Sequence, residues 1–226
     1  MTHLFKKSFF CCLLLCATFA AQAQFAGGNG TEIDPYIIIN TTQLNEVRNY
    51  QTAHFRLGAD IDASSVWVPI GNDTPTYNDY TKRFTGTFNG NGHTITINGI
   101  GTVAVGYGSN YHVGLFGVLG DGAAVRNLRV DVSLSFAFES INAPHYIGGI
   151  AGSNHGGMIN NCVVAGHISL SLLWGNGHFT SLRVGGIVGE NEPTHTSPTI
   201  PTIPKIAVPQ LIFQMTSRED VITSEV

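Results

Sequence analysis

The sequence predicts an all-β chain of stacked parallel coils with one short helix near its start. Three observations predict it. A glycine-bracketed core recurs as VGLFG (113–117), IGGIAG (147–152) and VGGIVG (184–189). Apolar residues occupy every second position over 128–138 and, with a gap at Gly166, over 162–172. The two stretches are offset by 34 residues, an even number, so stacking them lays apolar side chains over apolar ones. The competing arrangement is an antiparallel β-sandwich.

Taken in order, residues 1–23 read as a secretory signal peptide. Lys6 and Lys7 form a basic start, Phe9 to Ala20 is apolar, and Ala21-Gln22-Ala23 is a small-x-small cleavage site. The apolar run is short of the ~20 residues that a membrane span needs. Export to the cell surface or beyond is expected, with no transmembrane span in the mature chain. The one helical signal is Thr42 to Asn49, where Thr41 or Thr42 would cap and Leu44 and Val47 share a face. Next comes FTGTFNGNGHTITI (84–97), whose Asn89-Gly90-Asn91-Gly92 run is a hairpin signal and the main support for a sandwich. In-phase repetition favours stacked coils instead.

The strands that carry the repeat are VRNLRVDVSL (125–134) and INNCVVAGHISL (159–170). The offset pairs Val125 with Ile159, Asn127 with Asn161, Leu128 with Cys162 and Val130 with Val164. Leu128, Val130, Val132, Leu134, Phe136 and Phe138 alternate with Arg129, Asp131, Ser133 and Ser135, a strand with one buried and one wet face. Asn127 and Asn161 would then stack as an amide ladder. All 27 glycines lie between Gly27 and Gly189, whereas five of nine prolines fall within 193–209. This break divides the chain into a repeat domain, 24–190, and a proline-containing, unstructured tail, 191–226.

Composition excludes several functions. Charged residues are 12% of the chain, against ~25% in ordinary soluble domains. The net charge is −4 with no basic stripe, which argues against nucleic acid. Three of four cysteines lie in the signal segment, so Cys162 has no partner for an internal disulfide and reads as core filler.

At these residues the sequence resembles the GLUG-motif repeat family of bacterial secreted and surface proteins, which also accompanies some IgA-protease-type metallopeptidases. The blocks that carry the resemblance are FAGGNGTEIDPYIII (25–39), ADID (59–62), WVPIG (67–71), FTGTFNGNGHTI (84–95), GLFG (114–117), VRNL (125–128), GGIAG (148–152), GMINNCVVAG (157–166) and GGIVG (185–189). The resemblance implies a right-handed parallel β-helix used as an exposed stalk or adhesin-like module, with no catalytic residues to carry over. The third core lacks a following G-x-I-x-N-C half. A solenoid that stops there exposes an apolar edge, so the chain is expected to be a piece of a longer repeat protein.

No catalytic, cofactor or metal residues are assigned. The histidines at 54, 93, 112, 145, 155, 167 and 178 contain no H-E-x-x-H pair. Asp60 and Asp62 share a face but supply too few oxygens for calcium. Arg126 and Arg129 fall on opposite faces of a strand, which does not build a lyase site, and no G-x-S-x-G elbow is present. Exposed aromatics are expected at Tyr77, Tyr80 and Phe84 in the loop 72–84, and at Trp174 in 172–179. Such rings suit contact with cell-surface glycans or host proteins. The leading reading is a non-catalytic surface module for adhesion or support; the alternative is a carbohydrate-active β-helix enzyme, a lyase or hydrolase.

Overall fold

A computed structural model of the chain describes residues 24–64, 67–71, 82–100, 111–138, 144–172, 181–192, 211–216 and 221–224. The expected signal segment lies outside them. The first strand, β1 (Tyr36–Ile38), leads into helix α1 (Thr41–Glu46), extended by a 3-10 turn over Val47–Asn49. Asn40, not a threonine, is the cap: its backbone is extended (φ −154°) and its side chain accepts from the Gln43 N–H at 2.9 Å. Thr41 is committed elsewhere, its hydroxyl donating to the Asp62 carbonyl. Leu44 and Val47 are fully buried, as their shared face requires.

Strands β2 (His54–Leu57) and β3 (Ile61–Asp62) follow. Three successive stretches then each supply four strands in the same order. They are β4 (Thr87–Asn89), β5 (Thr94–Ile97), β6 (Tyr111–Val113) and β7 (Phe116–Leu119); β8 (Ala124–Arg126), β9 (Arg129–Phe138), β10 (His145–Ile147) and β11 (Ala151–His155); and β12 (Met158–Asn160), β13 (Val163–Leu172), β14 (Leu182–Val184) and β15 (Val188–Glu192). The strands assemble into four sheets. Sheet 1 is β1-β2-β4-β8-β12, and sheet 2 contains β3-β5-β9-β13. Sheet 3 is β6-β10-β14, and sheet 4 is β7-β11-β15. All these pairs are parallel, so each sheet collects one strand from each repeat.

Register follows the sequence offset. Val130 pairs with Val164 and Val125 with Ile159, and β9 and β13 stay in step over ten residues. Leu128 and Cys162, one step before those strands, are both buried. Gly166 faces Val132 in this row and has φ +109°. A Cβ there would strike the Val132 carbonyl, which explains the gap in the apolar alternation. Inside, Phe55, Phe84, Phe88 and Phe116 form a continuous aromatic column with centroid separations of 4.8–6.4 Å.

Two expectations change. The Asn-Gly run at 89–92 does not make a hairpin. β4 pairs with β2 and β8, β5 pairs with β3 and β9, and the run turns a corner between two sheets. The sandwich alternative therefore fails at the segment that supported it. The tail holds structure as well. Here β16 (Leu211–Thr216) pairs in parallel with β13, and β17 (Val221–Ser224) pairs antiparallel with β16. The last proline is Pro209. From 211 on, every residue has an N–H to place in a ladder, and β13 offers an edge to receive it.

Candidate functional site

The recurring glycine core makes a sharp corner between sheets 3 and 4, and the backbone leaves no room for a side chain at its glycines. A Cβ on Gly148 would meet the Ile187 carbonyl and Val188 Cα at 2.8 Å, besides colliding with the Ala151 carbonyl. A Cβ on Gly152 would meet the Val113 nitrogen at 2.6 Å, and one on Gly189 the Ile147 nitrogen at 2.5 Å. The corner folds each strand of sheet 4 against the neighbouring repeat's strand of sheet 3.

This close approach assembles a polar cluster from three repeats. His112 Nδ1 lies 2.9 Å from Ser153 Oγ, whose hydroxyl donates to Glu190 Oε2 at 3.5 Å. With Nδ1 carrying the proton, imidazole, hydroxyl and carboxylate form a one-way chain of donors. Glu190 also pairs with the Arg183 guanidinium, which lies 5.5 Å from the Tyr146 ring centroid. Tyr146 in turn stacks on His112, with centroids 4.9 Å apart and planes at 13°. One step along, Asn154 donates to Asn191 at 2.8 Å, and His155 Nδ1 lies 3.1 Å from Glu192 Oε2.

The order of groups limits the chemistry. In a nucleophilic triad the imidazole stands between hydroxyl and carboxylate. Here the hydroxyl stands between the other two, and Ser153 is 0% exposed. The arrangement suits cross-repeat bonding. Sequence reading missed it, although the 37-residue spacing of Gly152 and Gly189, continued for three residues, pairs Ser153, Asn154 and His155 with Glu190, Asn191 and Glu192.

The cluster carries a pH dependence. Burial, together with the nearby charges of His155, Arg83 and His145, lowers the His112 imidazole from 6.5 to about 4. Burial lowers His155 in the same direction. Between pH 6.5 and about 4 the unfolded chain takes up a proton that folded His112 refuses, so stability falls as pH drops through that window. The loss levels off below it. The urea midpoint is expected to fall between pH 7 and pH 4.5, with roughly 3 kcal/mol as the ceiling of the His112 contribution. His112→Gln should flatten the profile; an unchanged slope in that variant would remove His112 as its source.

At the corner between sheets 1 and 2, Asn161 Nδ2 donates to Asn127 Oδ1 at 2.8 Å, and Asn127 Nδ2 to Asn89 Oδ1 at 3.2 Å. The ladder read from Asn127 and Asn161 thus extends one repeat further. Asn127 and Asn161 both adopt positive φ (53° and 50°), a conformation that asparagine tolerates better than other side-chain-bearing residues. Cys162, the residue after the second of these, is buried with Sγ near the Asn160 and Val125 carbonyls, and burial raises its thiol pKa.

The aromatic residues proposed for ligand contact, Tyr77, Tyr80 and Trp174, lie outside the described residues, as does His178. Phe84 corrects the reading: it is fully buried, 4.8 Å from Phe116. Its position at the end of the loop sequence concealed a bridge to Leu119 that draws the ring into the core. Asp60 accepts from the Thr94 N–H at 2.9 Å and from His93, and the Thr94 bond with that of His93 lowers its pKa. Asp62 accepts from the Ser64 N–H, so the two carboxylates serve separate turns. Among the described residues no three His, Cys, Asp or Glu side chains group to hold a metal ion, and no helix is long and apolar enough to cross a membrane.

Residues 143–169 match the GLUG motif. A protein of Evansella cellulosilytica named "Putative Gly-rich membrane protein" is 38% identical over 150 residues, which is 65% of this chain and 16% of that protein. Halomucin of Haloquadratum walsbyi is 33% identical over 170 residues, 72% of this chain and 2% of that protein. The chain thus spans a small fraction of the length of either relative. The solved structure of a "putative immunoglobulin A1 protease" from Bacteroides ovatus aligns over 90% of this chain and 83% of its own, with 18% identity and a TM-score of 0.38. The GLUG motif to which the sequence resemblance pointed is present in this chain at 143–169, spanning the β10–β11 corner and the Asn161 step of the amide ladder.

Proposed function

We propose that the chain is an exported, non-catalytic repeat module whose stacked strands form a right-handed parallel β-helix, serving at the cell surface as a stalk or adhesive scaffold. The ten-residue parallel register of β9 on β13 carries this reading. It is a coil-on-coil contact through which successive repeats share one core. The names of the two relatives, "Putative Gly-rich membrane protein" and "Halomucin", support a surface setting. The buried Ser153, with its hydroxyl between His112 and Glu190, supports a structural rather than a chemical use of the polar cluster.

Two measurements test the proposal. On intact source cells, an antibody to the full chain should label the surface, and external protease should abolish labelling. Protection until lysis would overturn the surface assignment. Incubation of the full chain with a panel of polysaccharides should release no reducing ends or unsaturated products; release would install the carbohydrate-active alternative.

A further inference from the structure

Sheet 1 turns Phe55, Phe88 and Val125 inward, where all three are buried. Strand alternation therefore sends Arg56, Asn89, Arg126 and Asn160 to the opposite face. Cross-strand pairing sets these four side by side on β2, β4, β8 and β12, in one row perpendicular to the strands. Arginine and asparagine alternate along it. Neighbouring strands lie ~4.8 Å apart, so the two arginine positions are about 9.6 Å apart.

The charge on this face opposes that of the chain. The protein carries 15 acidic and 11 basic residues, for a net charge of −4. The row holds two arginines and no carboxylate, and the parallel outward row from His54 to Met158 adds none. Asp34 and Asp121 sit in the turns before β1 and β8, off the strands themselves. Arg56 and Arg126 are exposed, and neither guanidinium has a side-chain partner among the described residues. By contrast Arg129 pairs with Asp131 and Arg183 with Glu190.

We propose that the outward face of sheet 1 binds a linear acidic polysaccharide, laid along the stacking direction, with a carboxylate on alternate sugars. A pyranose unit of an extended chain is close to one strand spacing long. Carboxylates two sugars apart therefore meet Arg56 and Arg126, whose planar forks match a carboxylate through two N–H donors. Asn160 offers an amide to the sugar hydroxyls, and Asn89, whose Oδ1 already accepts from Asn127 Nδ2 and the Asn91 N–H, offers its Nδ2 as a donor. A neutral glycan leaves both guanidiniums unmatched. Nucleic acid brings a phosphate on every unit, and two cations on a chain of net −4 do not balance that density. The inference rests on the surface-module reading only for its biological setting.

Affinity electrophoresis of the full chain tests it, with hyaluronan (a uronate on alternate sugars), polygalacturonate (a uronate on every sugar) and neutral dextran in the gel. Hyaluronan should retard the protein, added salt should weaken the effect, and dextran should do nothing. Arg56→Gln and Arg126→Gln should each weaken retardation at least tenfold at an unchanged urea midpoint. Lys82→Gln, which removes an exposed cation elsewhere, should leave it intact. No retardation by hyaluronan, or an equal loss with Lys82→Gln, overturns the proposal; stronger retention by polygalacturonate overturns the alternate-sugar spacing. Absence of binding leaves cell-surface labelling untouched, and a protected epitope leaves the binding curve untouched, so the two readings fail separately.

Discussion

Gly148→Ala is expected to destabilise the fold by about 3 kcal/mol, the upper end of what overpacking costs. The added methyl has nowhere to go. It would press on the Ile187 carbonyl and Val188 Cα at 2.8 Å and on the Ala151 carbonyl, all of them backbone atoms that cannot rotate away. They belong to the next repeat as well as to its own corner, so relief requires parting sheets 3 and 4. The glycine's φ is not left-handed, so conformational strain does not contribute. Gly99→Ala supplies the control, because a Cβ there meets nothing within 4 Å and its φ is also ordinary. Urea unfolding of the two variants should show a large drop in midpoint for Gly148→Ala, and a change within ~0.5 kcal/mol for Gly99→Ala. Equal effects would mean that the glycines recur for a reason other than close backbone approach.

The repeat was legible because it rests on a local property, parity, that an even offset preserves. Val130 over Val164 and Asn127 over Asn161 could be paired from residue numbers alone. Corners were harder to read. Asn-Gly steps favour a reversal whether the chain returns beside itself or passes into another sheet, and nothing within 84–97 separates the two outcomes. What decided it was the partner strands, β2 and β8 for β4, which lie more than thirty residues away in either direction. Asn40 was missed as the helix cap because Thr41 and Thr42 are equally good cap types. The choice depended on Thr41 being drawn to the Asp62 carbonyl, 21 residues on.

The polar cluster was illegible for a different reason. His112, Ser153 and Glu190 come from three repeats and from two sheets, and no short motif contains any two of them. Their meeting follows from the corner geometry, since Gly152 lies against His112 and Val113 and the next residue, Ser153, comes within hydrogen-bonding distance of the imidazole. Phe84 was misread in the opposite sense. It ends a stretch rich in polar residues, and only its bridge to Leu119 and its contact with Phe116 show that it begins the core.

That contact leads to the second large effect. Phe116→Ala is expected to cost about 3–5 kcal/mol, the range for emptying a large buried aromatic site. Phe116 is 0% exposed, with ring centroids 4.8 Å from Phe84 and 5.6 Å from Phe88. Its neighbours cannot collapse into the gap, because each is held by backbone pairing: Phe84 to Leu119, Phe88 to Phe55 and Val125. Truncation would therefore leave most of the ring's volume empty. Phe116→Leu keeps much of that volume and should cost markedly less, whereas Ile33→Ala, at a residue 96% exposed, should fall within ~0.5 kcal/mol of the parent. Urea unfolding, with slopes compared to confirm a common unfolded state, ranks the three. A Phe116→Ala loss no larger than that of Ile33→Ala would mean that the repeats do not share one interior. If the repeats shared no interior, the in-register stacking of β9 on β13 would be a pairing of backbones alone.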